Sequence, residues 1–415
     1  MATVLLALFA VSIISQIDRI LPYIMAETIK NDLSLTDTQI VLLTGLAFAV
    51  CYTLLSLPLA RISDRGSPRL VLVACTLAWS AMTALGSIAS SFLFLAFTRF
   101  GVAFGEAGAM PAGHAIIARK IPPERRGLAI GLFAMGIPLG TMVGFGLGGS
   151  LSDTLGWRVA LGAAGAFGGL IAILALVLIA PTPPLRLQQS GTPAQPFFES
   201  SARMLSSPAF RWLFIGAVAI GFASAPFYTF AAAFLMRTHE LTASQAGLAF
   251  GLPQGLMGII GTLLGGRLFD RSVKAGSRRL LAPPATLFLL GSITTSAGLF
   301  APSAWLTIAL FIPTMLSFAF ILPFAFGAAH LIAGRGREAQ ATSLMMVGSG
   351  LLGPALGPLI VGLISDTGTA SGASNGLALG LLIAPVAAVL TGISMLIADR
   401  RIASAPPMTG MKPEG

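Results

Sequence analysis

Four ionisable residues stand where chemistry would be costly to place: Asp18 and Arg19, adjacent in the run Ile13-Ile14-Ser15-Gln16-Ile17-Asp18-Arg19-Ile20-Leu21, and Arg99 and Glu106 in Arg99-Phe100-Gly101-Val102-Ala103-Phe104-Gly105-Glu106. Both stretches are otherwise apolar and long enough to cross a bilayer. A charge at bilayer depth costs ~2.5–3.5 kcal/mol on insertion scales, so such a residue is a functional candidate by default. Arg99 and Glu106 are two helical turns apart, on one face and about 10 Å from each other, too far to pair directly. A partner from the first span can bridge them. Asp18 and Arg19 are about 100° apart around their helix, so one can face span 4 while the other faces a cavity. The chemistry this allows is exchange: Asp18 and Glu106 take and release a proton, while Arg19 and Arg99 neutralise them or bind an anion. A static salt-bridge cluster is the competing reading.

These residues sit in a chain of 415 residues, 55% hydrophobic and 10% charged, with mean hydropathy +0.88. Soluble domains carry roughly 25% charged residues, so this is an integral membrane protein. Apolar runs longer than twenty residues point to helices rather than a β-barrel. Cys51 and Cys75 lie inside apolar runs and make neither a disulfide framework nor a metal site. The spacing predicts twelve spans, at roughly 2–27, 37–62, 68–88, 91–118, 124–150, 157–180, 208–236, 241–266, 279–300, 303–332, 338–364 and 376–398. Among the 25 Lys and Arg, Lys30, Arg158 and Arg237 fall on one side and Arg19 and Arg99 inside spans. The rest flank the even-numbered connections and the C-terminal tail. This asymmetry predicts both termini in the cytoplasm and explains the net charge of +10 without nucleic acid.

The Pro- and Gln-containing segment 181–207 divides the chain. The expected organisation is a six-helix bundle over 1–180, a cytoplasmic linker over 181–207, a second six-helix bundle over 208–399 and a cytoplasmic tail over 400–415. The halves echo each other. Leu35-Thr36-x-x-Gln39 recurs as Leu241-Thr242-x-x-Gln245, Asp64-Arg65 as Asp270-Arg271, and His114 with Arg119 as His330 with Arg335. Leu139-Gly140-x3-Gly144-x4-Gly149-x2-Ser152-Asp153-Thr154 recurs as Leu352-Gly353-x3-Gly357-x4-Gly362-x2-Ser365-Asp366-Thr367. Ordered matches of this kind indicate duplication, the architecture in which a midplane site lies between halves that rock against each other. Gly136, Gly140, Gly144 and Gly149 are read as one small-residue stripe for close helix packing. The aromatics of the second half (Phe222, Phe227, Tyr228, Phe230, Phe234, Phe318, Phe320, Phe324, Phe326) are read mainly as core or lipid-facing, and His330 and His114 as neutral, hydrogen-bonded residues.

The stretch Ala60-Arg61-Ile62-Ser63-Asp64-Arg65-Gly66-Ser67-Pro68-Arg69 resembles the G-x-x-x-D-R-x-G-R-R signature of the major facilitator superfamily, with Ala60 in place of the first glycine and Ser67-Pro68 interrupting the basic pair. Gly266-Arg267-Leu268-Phe269-Asp270-Arg271 matches its core. The resemblance implies a cytoplasmic gate at Asp64, Arg65, Arg69, Asp270 and Arg271, in which the acid meets a helix N-terminus of the other half.

Ile17-Asp18-Arg19, Leu33-x5-Gln39-x5-Gly45-Leu46-Ala47-Phe48, Arg99-x-Gly101-x3-Gly105-Glu106-Ala107 and Pro122-Pro123-Glu124-Arg125-Arg126-Gly127 are similar to the Spinster branch of that superfamily. That likeness implies proton-linked movement of an anionic amphiphile such as a lysophospholipid or a sphingosine-1-phosphate-like lipid. Asp18 and Glu106 would then carry the proton, and Arg19 and Arg99 would bind substrate.

The expectation is therefore a monomeric, twelve-helix, alternating-access secondary transporter in a bacterial inner membrane. Its partners are a lipid or small-molecule substrate, protons and membrane lipids, with no cofactor, metal or nucleic acid. The alternative is a drug or small-metabolite:proton antiporter. No phosphate-binding loop or catalytic constellation is present, so neither ATP-driven transport nor an enzyme is expected.

Overall fold

The structure is a computed structural model that describes residues 2–46, 51–52, 55–56, 58–59, 61–63, 66–122, 125–181, 197–277, 279–333, 338–372 and 375–404. Among these the chain is helical, and ten helices are long and apolar enough to cross a membrane. Span 1 is Ala2–Ile24, followed across a break at Met25 by the short helix Ala26–Leu33. The expected 2–27 run therefore ends early, at the turn after Pro22, whose ring removes a backbone donor. Span 2 opens as Asp37–Val41 and continues as the wider turn Leu42–Leu46.

Spans 3 and 4 are Pro68–Gly86 and Phe92–Lys120. Span 5 is broken into Arg126–Ala134 and Gly136–Leu155. The break falls where Pro138 withholds its N–H from the carbonyl of Ala134. Span 6 is Trp157–Leu178, span 7 Pro208–His239, span 8 Ala243–Lys274, span 9 Ala282–Gly298 and span 10 Ala304–Ala333. Span 11 runs as Glu338–Val347, the wide turn Gly348–Leu352 and Gly353–Ala370, and span 12 as Gly376–Leu381 and Ile383–Ser404.

Three boundaries differ in substance from expectation. Span 8 continues past residue 266, so Asp270 and Arg271 lie on its last turns rather than in a loop. The 181–207 segment ends in a helix, Phe197–Ser206, and span 12 runs five residues into the expected tail.

The repeated Leu-Thr-x-x-Gln motif has a local explanation. Thr36 caps span 2 and Thr242 caps span 8, and in each the Gln three residues on returns a hydrogen bond to the Thr backbone N–H. Both are reciprocal capping boxes. Glycines set the packing around span 1. Gly136, Gly140, Gly144 and Gly148 face Ser12, Ile13, Gln16, Ile17, Ile20 and Leu21 so closely that a Cβ would collide. Gly149 turns to the other side, against Ala243 of span 8, so the stripe uses Gly148 where the sequence pattern placed Gly149. In the second repeat Gly353 and Gly357 approach span 7 and Gly362 approaches the start of span 2, the same division of labour. Phe227, Phe230, Phe234 and Phe324 are fully buried, and Phe145 of span 5 packs on Phe250 of span 8 with ring centroids 5.0 Å apart.

Candidate functional site

Span 4 and span 1 bring the charges together. Arg19 forms an ion pair with Glu106, and the burial is uneven: the Arg19 side chain is 31% exposed and that of Glu106 fully buried. The Arg19 guanidinium also lies over the Tyr52 ring, 4.8 Å from its centroid. Arg19 and Tyr52 line a small recess of about 110 Å3 with Ser12, Ser15 and Gln16. One oxygen of Glu106 remains buried without a partner among the described residues.

Asp18 and Arg19 diverge as their helical offset requires. Asp18 is completely buried against Trp79 and Thr83 of span 3, yet neither carboxyl oxygen, nor the Trp79 Nε1, nor the Thr83 hydroxyl closes a hydrogen bond of normal geometry among the described residues. Arg99 reaches span 1 through a long contact from Nη1 to the Asp18 carbonyl oxygen, 3.5 Å. It lines a minor void of about 20 Å3 beside Pro22 and Leu95. The four residues thus converge, but Arg19 alone among them lines the recess.

Next to this recess lies a larger cavity of about 610 Å3 between spans 5, 7, 8 and 10. Leu132, Met135, Pro138, Ile259 and Phe318 contribute to its apolar wall, and its polar groups are Thr141, Thr262, Tyr228 and Gln254. Ile137 lines both spaces, and Gln16 in the recess donates from Nε2 to Thr141 Oγ1 at 3.1 Å. Sequence reasoning places Tyr228 only among the core or lipid-facing aromatics and does not single out Gln254, although a lone Gln in the apolar run of span 8 is a legible signal.

The faces of the bundle differ. On the face carrying the odd-numbered connections, Asp366 of span 11 accepts from the backbone N–H of Asp37 and Thr38, each at 3.0 Å, and from Thr38 Oγ1 at 2.6 Å. Asp153 of span 5 accepts from the N–H of Ala243 and Ser244 at 3.2 and 2.6 Å. Each carboxylate meets a helix N-terminus of the other repeat, where unpaired N–H groups favour an anion. Arg237 of span 7 joins them, bonding Glu27 at 2.8 Å through Nε and Asp37 at 2.7 Å through Nη1.

Among the described residues, the chemistry expected of the cytoplasmic gate, a carboxylate at a helix N-terminus of the other repeat, is seen at this face. Of the residues expected to form that gate, Asp64 and Arg65 lie outside the described residues, and Asp270 and Arg271 are exposed. Arg69 donates to the Leu176 carbonyl, within its own repeat. Arg119, noted only as part of the repeat, donates to the Ser63 and Gly66 carbonyls at 3.0 Å. His330 bonds Thr342 of the next span at 2.7 Å, and His114 packs edge-on against Phe133. In the second repeat, Asp399 is buried and accepts from Leu281 N–H at the foot of span 9.

Duplicated membrane spans, a cavity at their junction and a buried charge cluster between spans 1 and 4 are the features of a membrane transporter. The chain belongs to the Major Facilitator Superfamily, whose family model matches residues 5–358. It is 33% identical over 390 residues to an MFS-type efflux pump of Mycolicibacterium smegmatis, covering 92% of this chain and 88% of that protein. It is 27% identical over 394 residues to Protein spinster homolog 1 of Xenopus tropicalis, covering 88% and 73%. Among solved structures, a bacterial homolog of the human lysosomal transporter Spinster, in an inward-facing and unoccupied conformation, superposes with a TM-score of 0.85 at 26% identity, covering 97% of this chain and 98% of that one.

Proposed function

We propose that this transporter couples protons to the movement of an anionic amphiphile by alternating access, from the cytoplasmic side of a bacterial inner membrane. The observation that carries this reading is the contact between two unlike spaces. A small recess presents the Arg19 guanidinium, and an apolar cavity more than large enough for an alkyl chain adjoins it at Ile137. A phosphate head fits the planar guanidinium donor set, and the chain fits the apolar wall. The phosphate then competes with Glu106 for Arg19. When Arg19 turns to the substrate, a buried Glu106 left without its cation is stable only as the neutral acid. Anion binding thus brings a proton onto Glu106. Asp18, whose carboxyl has no hydrogen-bond partner among the described residues, is the second candidate proton carrier, and Arg99 restrains span 1 beside it. The latched odd-connection face and the exposed Asp270 fit a conformation open toward the cytoplasm.

Flux of a labelled lysophospholipid in proteoliposomes, with and without an imposed pH gradient, tests the proposal. Gradient-independent flux removes proton coupling; no lipid flux removes the substrate class. The small-molecule:proton antiporter is the second reading, favoured by the largely apolar wall of the larger cavity and by the identity to an efflux pump. Ethidium efflux in place of lipid flux is its signature.

A further inference from the structure

The larger cavity is apolar except for a few groups, and two of them form a pair whose hydrogen bonding is incomplete. Gln254 of span 8 is 2% exposed. Its Nε2 donates to the Tyr228 hydroxyl of span 7 at 2.7 Å. Its carbonyl Oε1 is buried in the cavity wall without a partner among the described residues. Tyr228, receiving from the amide, retains its own proton to donate. The pair therefore offers one acceptor and one donor side by side, and the terminal torsion of an amide is soft enough to turn its oxygen toward a ligand.

We infer that Gln254 and Tyr228 form a second polar subsite, which recognises a free hydroxyl group carried between the acidic head and the alkyl chain of the substrate. This rests on the reading of the site as one for an anionic amphiphile. A hydroxyl is the simple group that donates to Gln254 Oε1 and accepts from Tyr228 Oη at once. An ionised carboxylate or a fully ionised phosphate only accepts and would face the amide oxygen unfavourably; an ammonium only donates and leaves the Tyr228 proton unused. The placement agrees, because the pair lies in the cavity that adjoins the Arg19 recess at Ile137. The subsite thereby distinguishes single-chain lipids, whose hydroxyl is free, from two-chain lipids, whose corresponding oxygen is acylated and has no proton to give. A site built to bond a hydroxyl rejects the analogue that lacks it, because its own buried polar groups are left unpaired.

The test compares oleoyl lysophosphatidic acid with the analogue carrying hydrogen in place of the free hydroxyl. Binding is measured to the full chain in nanodiscs of diacyl lipid. The wild type is expected to bind the hydroxyl form about tenfold more tightly, the net worth of two modest hydrogen bonds. Gln254→Leu should bind both at the weaker level, and Tyr228→Phe should keep about threefold of the preference, since one of the two hydrogen bonds survives. Equal binding of the two ligands by the wild type overturns the hydroxyl subsite and leaves the amphiphile reading standing. A preference that persists undiminished in Gln254→Leu also overturns it. Failure to bind either ligand overturns both readings together. The wild-type comparison needs no substitution, so it stands even where a variant fails to fold.

Discussion

Arg19 and Glu106 are paired across two spans with opposite access: the cation borders the recess, while the anion is sealed behind it. A ligand can reach the base but not the acid. On the proposed reading, an anion that binds in the recess contends with Glu106 for one guanidinium, and that contest would link ligand to proton by the reciprocity of coupled equilibria.

Binding of lysophosphatidic acid should take up close to one proton per ligand in the wild type and none in Glu106→Gln. Calorimetry in two buffers of different ionisation enthalpy reads this directly. In Glu106→Gln the affinity should rise by about fivefold or more at alkaline pH, as expected for removal of a competitor. Proton uptake unchanged in Glu106→Gln would transfer the role to Asp18, and Asp18→Asn is the companion experiment.

Arg19→Ala should destabilise the protein by about 3–5 kcal/mol, because it strands a buried carboxylate. The double variant Arg19→Ala/Glu106→Gln should recover most of that loss in a thermal melt while remaining unable to bind the anion. Recovery of binding together with stability would show that Arg19 only serves the fold.

At the odd-connection face, Asp366→Ala removes the acceptor of three hydrogen bonds at the start of span 2. With bonds to a charged group contributing about 1.5–3 kcal/mol each at best, the population latched at this face should fall by about tenfold or more. Spin labels at the exposed Ser34 and Ala370 would report a longer distance component. An unchanged distance distribution would reduce Asp366 to a local cap.

Gly140→Val should destabilise by about 1–3 kcal/mol, since any Cβ there meets the Ile13 carbonyl oxygen and Gln16 Cβ. Gly169→Val, with open space around its Cα, is the matched control. Equal melting temperatures for the two would contradict the close approach of spans 1 and 5.

Much of this arrangement was legible because membrane insertion makes charge conspicuous. The rarity of Asp18, Arg19, Arg99 and Glu106 in apolar runs identified the cluster, and helical geometry foretold that Asp18 and Arg19 would part. Sequence spacing left open which of them takes span 4, because that depends on the rotation of span 1. The glycines of span 5 fix that rotation, and Gly148 and Gly149 are neighbours that face different helices. The Ser-Asp-Thr repeat was visible as duplication but not as a latch, since a carboxylate finds its N–H partners only once two distant helix ends are adjacent. Helix breaks at Met25 and Met135 were hinted at by Pro22 and Pro138, whose exact effect depends on what the neighbouring helices supply to the freed carbonyls.

The two carboxylate latches, Asp153 of span 5 on the start of span 8 and Asp366 of span 11 on the start of span 2, occupy equivalent places in the duplicated chain. A single anchor would leave one repeat free to swivel on the other. Two separated anchors remove all but one rotational freedom, about the line that joins them. On the proposed alternating-access reading, duplication has supplied a hinge pin at this end of the molecule, and motion about it would separate the far ends of spans 5 and 8, where the apolar cavity lies.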